Sequence, residues 1–208
     1  MKRYWTLCVL ALMLAGPAAL AAPAVSSAST TITLQNDNTY TPSSATLDLG
    51  DGSFDWEWGP GGVGTIELHN VLQDAQLFSS GEPTKSDPDG FSVTASAGSF
   101  PYFCQIHLGM EGDVNVRPVL GASDTGQGPI PVAWATTTTS TGDTYDVRYR
   151  TGKKWKSWKK DTSKLSGTFG RNKKPAKVKS GRSYRFQARS KSGNKRRSDW
   201  SPELVVDR

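Results

Sequence analysis

The chain alternates short apolar runs with turn residues along most of its length, and this pattern restricts its possible folds strongly. Segments such as TITLQ, SFDWEW and GSFPYFC carry apolar residues at every second position, which is the period of a half-buried β-strand. Gly, Pro, Asn, Asp and Ser, which favour turns, separate these segments. We find no convincing stretch with helical periodicity, so we expect an all-β protein.

The predicted strands fall into two sets. The first set is TITLQ, ATLDLG, SFDWEW, TIELHNV, GFSVTAS, GSFPYFC and GDVNVRP. The second set is IPVAWATT, TYDVRYR, SGTFG and SYRFQARS. This order predicts two all-β domains in series, which the length of the chain allows.

Charge separates the two sets. Residues 22–117 contain two basic and twelve acidic side chains, a net charge of −10. Residues 118–208 contain 21 basic and seven acidic side chains, a net charge of +14. The overall charge of +6 therefore hides two oppositely charged halves, and we place the domain boundary between residues 117 and 118. Such asymmetry bears on binding partners rather than on the fold.

The amino terminus has the order of a secretory signal peptide. Lys2 and Arg3 precede an apolar run, which small residues follow up to Ala21. We predict that residues 1–21 are a signal peptide and that the mature chain starts near Ala22. A membrane anchor is the alternative, but the apolar run is shorter than the roughly 20 residues of a spanning helix. We expect a secreted protein, located outside the cell or in the cell envelope (the periplasm in a Gram-negative source).

Removal of the signal peptide leaves a small inventory of sulfur and imidazole side chains. Cys104 and Met110 are then the sole Cys and Met, beside His69 and His107. A lone thiol is unusual in an oxidising compartment, where cysteines normally pair. A bound metal would protect it, because the thiolate is the form that ligates.

Three of these side chains lie in the segment FCQIHLGMEG, where Cys104, His107 and Met110 follow at three-residue intervals. His69, in IELHNVL, is expected at the end of a strand and would be the fourth ligand. Two imidazoles, a thiolate and a weak axial thioether form the ligand set of a blue-copper site. Each side chain alone is more often a packing residue, but their joint occurrence favours a metal site.

Other chemistries remain as alternatives at this point. Zinc is the nearest one, because one Cys, two His and a water form a catalytic zinc set, but Met110 would occupy the position of the water. A nucleophilic pair of Cys104 and His107 lacks any orienting or oxyanion motif. Two histidines are too few for the additional copper sites of a multicopper oxidase. We therefore expect one mononuclear copper that transfers single electrons, and no enzymatic activity.

The segment from Thr31 to Val116 resembles a plastocyanin-type blue copper domain, a cupredoxin, through HNV at residues 69–71 and through FPYFCQIHLGMEGDVNV. The Cys-x-x-His-x-x-Met spacing is the short form found in amicyanin. The resemblance implies a Greek-key β-sandwich with one type 1 copper. The implied ligands are His69, Cys104, His107 and Met110. It also implies that Asn70 ties the two ligand-bearing loops together by hydrogen bonds.

The same resemblance makes His107 the point of electron entry, with Leu108 beside it in an apolar docking patch. Ordinary loop packing is the alternative for Leu108. The acidic surface would steer a basic redox partner at low salt, or would simply keep the domain soluble. The sequence does not name the redox partner. A Gly-rich insertion before His69 is longer than in the smallest members of the family.

The segment 118–208 resembles a fibronectin type III domain through PVAWATT, TYDVRYRT, VKSGRSYRFQARSKSG and SDWSPELVV. The resemblance implies a second β-sandwich with Trp134 in its core and Tyr184 as the tyrosine corner. Such domains bind or space other modules, so the fold alone does not define a function.

Basic clusters in this second half indicate an anionic partner. In TGKKWKSWKK, Trp155 and Trp158 stand between lysines. We expect attachment to an anionic polymer, an acidic polysaccharide or a membrane surface. The mix of aromatic and basic residues also suits nucleic acid, but secretion argues against a genomic role. There are two other interpretations. The basic face could simply be solvated, or the basic half could fold back onto the acidic half.

Two functional hypotheses therefore stand. The first is a secreted one-electron copper carrier with a basic attachment module. The second is an extracellular adhesion or matrix-binding protein whose cupredoxin domain is structural or stores copper. Intact copper ligation with reversible redox chemistry distinguishes the first hypothesis from the second.

Overall fold

The computed structural model describes residues 29–193 and 195–208, which form an all-β structure, as the alternating pattern predicts. The predicted signal peptide, residues 1–21, lies outside the described residues. Helix within the described ranges is confined to two single 3₁₀ turns, Pro60–Gly62 and Arg171–Lys173. No helix in this part of the chain is long and apolar enough to cross a membrane.

Residues 30–117 form two four-stranded sheets. Their strands are β1 (Thr30–Leu34), β2 (Tyr40–Thr41), β3 (Ser44–Asp48), β4 (Phe54–Trp58), β5 (Leu72–Gln73), β6 (Phe91–Val93), β7 (Gly98–Phe103) and β8 (Glu111–Arg117). The strand order is β2-β1-β4-β6 in one sheet and β3-β8-β7-β5 in the other. Each sheet contains one parallel pair, β1 with β4 and β3 with β8. Parallel neighbours need crossover connections, so the chain passes repeatedly between the two sheets.

The first apolar core is built from the inward positions of these strands. On β4, Phe54, Trp56 and Trp58 are buried, while Asp55 and Glu57 alternate with them and are only partly buried. Successive side chains of a strand point to opposite faces, so the period of two in the sequence becomes one apolar face. Burial of each large apolar side chain contributes about 1.5–3 kcal/mol before the entropic cost of ordering it.

The strands of the second half also form two sheets. They are β9 (Val119–Leu120), β10 (Ile130–Ala133), β11 (Thr144–Arg150), β12 (Lys156–Thr162), β13 (Ser166–Phe169), β14 (Ser183–Ser192), β15 (Arg196–Arg197) and β16 (Leu204–Asp207). The orders are β13-β10-β9 and β12-β11-β14-β15, and β16 also pairs with β14. Strands β15 and β16 pair with opposite ends of β14.

A second apolar core lies between these sheets. Trp134 is fully buried, and its indole N–H donates to the carbonyl of Lys164. Tyr184 is buried, and its hydroxyl accepts the backbone N–H of Lys179 at 2.8 Å. Both polar tips are therefore satisfied inside the core, which avoids the penalty of an unpaired buried group.

The two halves are joined by backbone hydrogen bonds at the start of β7. The N–H of Ala97 donates to the carbonyl of Trp134 at 2.8 Å. Ser99 and Asp199 exchange backbone hydrogen bonds at 2.9 and 3.2 Å. Because β7 leads directly to Cys104, the second half is attached to the strand that carries the predicted ligand loop.

One predicted strand is wrong, and six observed strands are missing from the prediction. The segment TIELHNV, residues 65–71, is not a strand, and His69 pairs only through an isolated bridge with Thr84. The Gly-rich segment before it turns the chain, with positive φ at Gly59 and Gly64. The unpredicted strands are β2, β5, β9, β12, β15 and β16. The longest of them is β12, whose lysines obscure the alternation of its side chains.

Candidate metal centre

Three of the four predicted ligand side chains meet at one end of the two sheets formed by residues 30–117. One donor atom each from His69, Cys104 and His107 lies within 4.8 Å of the others. Cys104 Sγ is 3.5 Å from His107 Nδ1, and the ring centroids of His69 and His107 are 4.7 Å apart. The fold thus brings two distant segments of the sequence together at one point.

The three donors differ in their access to solvent. His69 is fully buried and Cys104 is 3% exposed, whereas His107 is only partly buried. Exposed apolar side chains stand next to the histidines in the sequence: Leu68 precedes His69, and Ile106 and Leu108 lie on either side of His107. His107 is therefore the donor through which the cluster reaches the surface.

His69 has a fixed backbone but unpaired ring nitrogens. Its backbone exchanges two hydrogen bonds with Thr84, and the indole N–H of Trp58 donates to its carbonyl at 3.1 Å. Both ring nitrogens are buried without a hydrogen-bond partner among the described residues. An unpaired buried polar group costs about 1–3 kcal/mol, and coordination of a metal would remove this cost for the ring nitrogen that binds it.

The protonation of His69 is also suited to ligation. Burial, and then the nearby His107 ring, lower the pKa of His69 below its ordinary value. The neutral imidazole has the lone pair that a metal needs, whereas the imidazolium has none.

A tight loop positions the other predicted ligands. The N–H of Cys104 donates to the carbonyl of Met110 at 3.0 Å, and the N–H of Met110 donates to the carbonyl of His107 at 3.2 Å. Gly109, with φ of +83°, provides the left-handed residue that the turn requires. Met110 is 1% exposed and belongs to the same apolar cluster as Cys104. The fourth predicted ligand thus shares both the loop and the core with the thiol.

Asn70 connects the two ligand-bearing segments. It is fully buried, its amide N–H₂ donates to Gln105 Oε1, and its Oδ1 accepts the backbone N–H of Gln105 at 3.0 Å. The same amide donates to the carbonyl of Gly81 at 2.9 Å. The hydroxyl of Tyr40 donates to the carbonyl of Asn70, and burial raises the pKa of Tyr40, so it remains a donor. Satisfied buried networks of this kind restrict local movement.

The donor set restricts which metal fits. It contains one cysteine sulfur and two imidazoles, and no carboxylate joins the group among the described residues. Thiolate and imidazole donors select copper or zinc rather than magnesium or calcium. The buried, unpaired nitrogens of His69 agree with a metal at this point, so the residues present fit the predicted ion.

Three supporting residues, Gln105, Trp58 and Thr84, were not predicted from the sequence. Gln105 lies between two predicted ligands, and its amide is chemically complementary to Asn70, so a signal for its role exists. Trp58 and Thr84 hold the backbone of His69 from other parts of the chain, and nothing in the sequence pairs them with it.

The two tryptophans of the basic cluster have different environments. Trp158 packs in the second core, with ring centroids 5.7 Å from Trp134 and 5.5 Å from Phe169. Trp155 instead lies beneath the guanidinium of Arg148, outside the core cluster. Trp158 is therefore held by core packing, whereas Trp155 packs against arginine side chains outside the core.

Comparison with known proteins assigns no family. No protein-family model matches the chain, and no curated protein matches it significantly.

Proposed function

We propose that residues 22–117 form a cupredoxin-type domain with one type 1 copper, and that the protein is a secreted one-electron carrier rather than an enzyme. The observation that carries this proposal is the convergence of His69, Cys104 and His107, with both nitrogens of His69 buried and unpaired. Met110, on the same loop, would be the weak axial ligand.

Bound copper would supply reversible exchange of one electron between Cu(I) and Cu(II). The chain supplies rigidity, because Trp58 and Thr84 fix His69 while Asn70 and Gln105 fix the thiol loop. A site whose supporting shell is fixed changes little between oxidation states. With four protein ligands no position is left for a substrate, which favours electron transfer over catalysis.

The partly buried ring of His107 is the proposed electron entry point. Ile106 and Leu108 flank it, and Leu108 is fully exposed. Apolar side chains around His107 are easily desolvated, and the core of a protein interface is depleted of charge. This apolar rim therefore suits transient binding of a redox partner.

The sheet arrangement supports the proposed cupredoxin architecture. Each sheet of residues 30–117 mixes parallel and antiparallel pairs, with β7 and β8 adjacent. The loop between β7 and β8 carries Cys104, His107 and Met110, so three ligands come from one hairpin. A sandwich with crossovers between its sheets agrees with the proposed Greek-key topology.

Two contacts support a fibronectin type III-like module for residues 118–208. The hydroxyl of Tyr184 accepts the N–H of Lys179, five residues earlier, as a tyrosine corner does. Trp134 fills the centre of the second core. We propose that this module, with its charge of +14, attaches the exported carrier to an anionic surface.

The experiment that tests the carrier function is an anaerobic redox titration of the copper-loaded chain 22–208. One copper and one electron per chain are expected, with repeated cycles of ascorbate reduction and reoxidation that leave the protein folded. Retention of zinc in place of copper, or copper that cannot be cycled, would contradict the carrier function. That result would favour the adhesion hypothesis, in which the first domain is structural.

A further inference from the structure

Cations and indoles alternate on the outer face of the sheet that contains β11 and β14. The Arg148 guanidinium lies 4.5 Å from the ring centroid of Trp155 and 4.1 Å from that of Trp200. Arg150 contacts the Trp155 ring at 4.8 Å, and Arg189 contacts the Trp200 ring at 4.5 Å. We call this row, Arg150–Trp155–Arg148–Trp200–Arg189, the Arg–Trp ladder. A single cation–π contact is weak at a partly exposed site, so several such contacts together order the row.

The ladder follows from the alternation of two paired strands. On β11, Val147 and Tyr149 are buried in the second core, so Arg148 and Arg150 project from the opposite face. On β14, Arg189 projects from the same outer face. The same period that builds the core therefore collects guanidinium groups on its reverse side.

Hydrogen bonds hold the ladder cations in position. Arg148 donates twice to Gln187 Oε1, at 2.9 and 2.6 Å. Arg189 donates twice to one carboxylate oxygen of Asp146, at 3.0 and 2.7 Å. Groups that are already ordered lose little conformational entropy when they bind a ligand.

A groove of about 280 Å³ runs beside the ladder. Five cationic side chains line it, against the single carboxylate of Asp146, which already binds Arg189. Three of those cations are Lys156, Lys159 and Lys160, and none of them forms an ion pair within residues 29–193 and 195–208. The groove therefore carries positive charge that the described protein does not neutralise.

Arg148 lies close to other positive charges. Burial, and then the charges of Arg189 and Arg150, lower the pKa of Arg148. An anion in the groove would offset this repulsion, because opposite charges at short range favour the charged form.

The shape and chemistry of the groove favour one class of occupant. The guanidinium groups lie over the indole rings of Trp155 and Trp200, which leaves those faces poorly available for stacking on nucleobases. A concave groove also matches a flat bilayer poorly. A linear sugar polymer offers apolar C–H surface for the indole edges and regularly spaced anions for the lysines.

We propose that this groove binds a linear acidic polysaccharide, with carboxylate or sulfate groups paired to Lys156, Lys159 and Lys160. The inference rests on the proposed attachment role of the basic half and names its partner. Carboxylate and sulfate groups both present negatively charged oxygens to the lysines. Experiment therefore decides which of the two groups the polymer carries.

The test is calorimetric titration of the full chain at about 0.1 M salt, with size-defined heparin fragments and with oligogalacturonate. Either polymer alone, or both, should bind, which identifies sulfate, carboxylate or both as the recognised group. The triple variant Lys156→Gln, Lys159→Gln, Lys160→Gln should bind roughly tenfold more weakly, with a shallower dependence on salt. Arg148→Lys keeps the charge but loses the planar stack, and should weaken binding severalfold.

The matched control is the triple variant Lys164→Gln, Lys173→Gln, Lys177→Gln. It removes the same charge from exposed positions outside the groove and should change the affinity less than about threefold. Equal losses in the two triple variants would overturn the inference, because binding would then be diffuse. Binding of phosphatidylserine vesicles or of single-stranded DNA, with neither polysaccharide bound, would also overturn it.

The same samples separate this inference from the proposed electron-transfer function. Copper loading and redox cycling should be unchanged in both lysine variants, since none of these lysines contacts the first core. A chain whose copper cycles between oxidation states but which binds no polysaccharide would overturn the groove proposal alone. Polysaccharide binding by a chain that holds no copper would overturn the carrier function alone.

Discussion

Asn70 and Gln105 are joined by two hydrogen bonds, at 2.6 Å between their side chains and at 3.0 Å from the Gln105 N–H to Asn70 Oδ1. This pair connects the segment of His69 to the loop of Cys104. The two segments are distant in the sequence, so the donor cluster depends on a contact that neither segment forms alone.

Replacement of Asn70 by Ala should therefore destabilise the metal-free protein. It removes buried hydrogen bonds and leaves the backbone N–H of Gln105 unpaired, which we expect to lower the free energy of unfolding by about 2–3 kcal/mol. Gln105→Ala is the matched control, because it removes only the side-chain acceptor of the Asn70 amide and keeps the bond from the backbone N–H of residue 105 to Asn70 Oδ1. It should cost about 1 kcal/mol. Urea unfolding measures both, and equal small losses would contradict the bridging role.

Met110→Leu tests the proposed axial ligand. The two side chains have similar volumes, so the free energy of unfolding should change by less than about 1.5 kcal/mol. The copper site should survive with a higher reduction potential, because loss of the weak sulfur donor removes stabilisation of Cu(II). Voltammetry of the copper-loaded variant measures this, and an unchanged potential would exclude Met110 as a ligand.

Gly98→Ala tests the junction between the two halves. A Cβ at this position would lie 2.6 Å from Ser198 Oγ and 2.7 Å from the ring of Phe100. Overpacking of this kind should cost about 1–3 kcal/mol in stability. Gly152→Ala is the control, because no atom lies within 4 Å of its added Cβ, and it should leave the melting temperature nearly unchanged. Two indistinguishable thermal unfolding curves would argue against a tight junction.

Asp146 makes stability depend on pH. Although burial opposes ionisation, hydrogen bonds from the Asp161 N–H and from Arg189 hold the pKa of Asp146 below its ordinary value. Because the folded-state pKa is lowered, the ionised carboxylate stabilises the fold. This contribution to the free energy of unfolding is complete above the unfolded pKa of about 4 and is lost as the pH falls through the folded-state pKa. Asp146→Asn should therefore cost about 1–3 kcal/mol at neutral pH, and the difference from the wild type should shrink below about pH 4.

The control for this pH dependence is Asp143→Asn. Asp143 is exposed and forms no ion pair among the described residues, so its variant should follow the wild-type curve. Urea unfolding across pH 3 to 7 gives all three profiles. A constant difference between Asp146→Asn and the wild type down to the lowest pH would contradict the assignment.

Much of the fold follows from local patterns in the sequence. The alternation in TYDVRYR and SYRFQARS predicts strands that the structure contains as β11 and β14. Three of the predicted ligands share one short segment, so their proximity is a local property of a tight loop. The meeting of His69 with that loop was expected from its resemblance to a known family, and the local pattern alone does not supply it.

Other features depend on contacts that no local pattern encodes. The segment 65–71 has strand-like alternation, but Gly59 and Gly64 turn the chain, and only one bridge forms there. Trp158 lies among lysines in the sequence, yet tertiary packing places it in the second core. Trp200 joins the Arg–Trp ladder from the loop before β16, so the sequence gives no periodic signal for that contact.

The central claim is that Cys104 binds copper as a thiolate, and the visible absorption spectrum of residues 22–208 with Cu(II) tests it most directly. We predict an intense blue thiolate-to-copper band that ascorbate bleaches and that Cys104→Ser lacks while it remains folded. A colourless wild-type protein, or a band that persists in Cys104→Ser, would contradict the account.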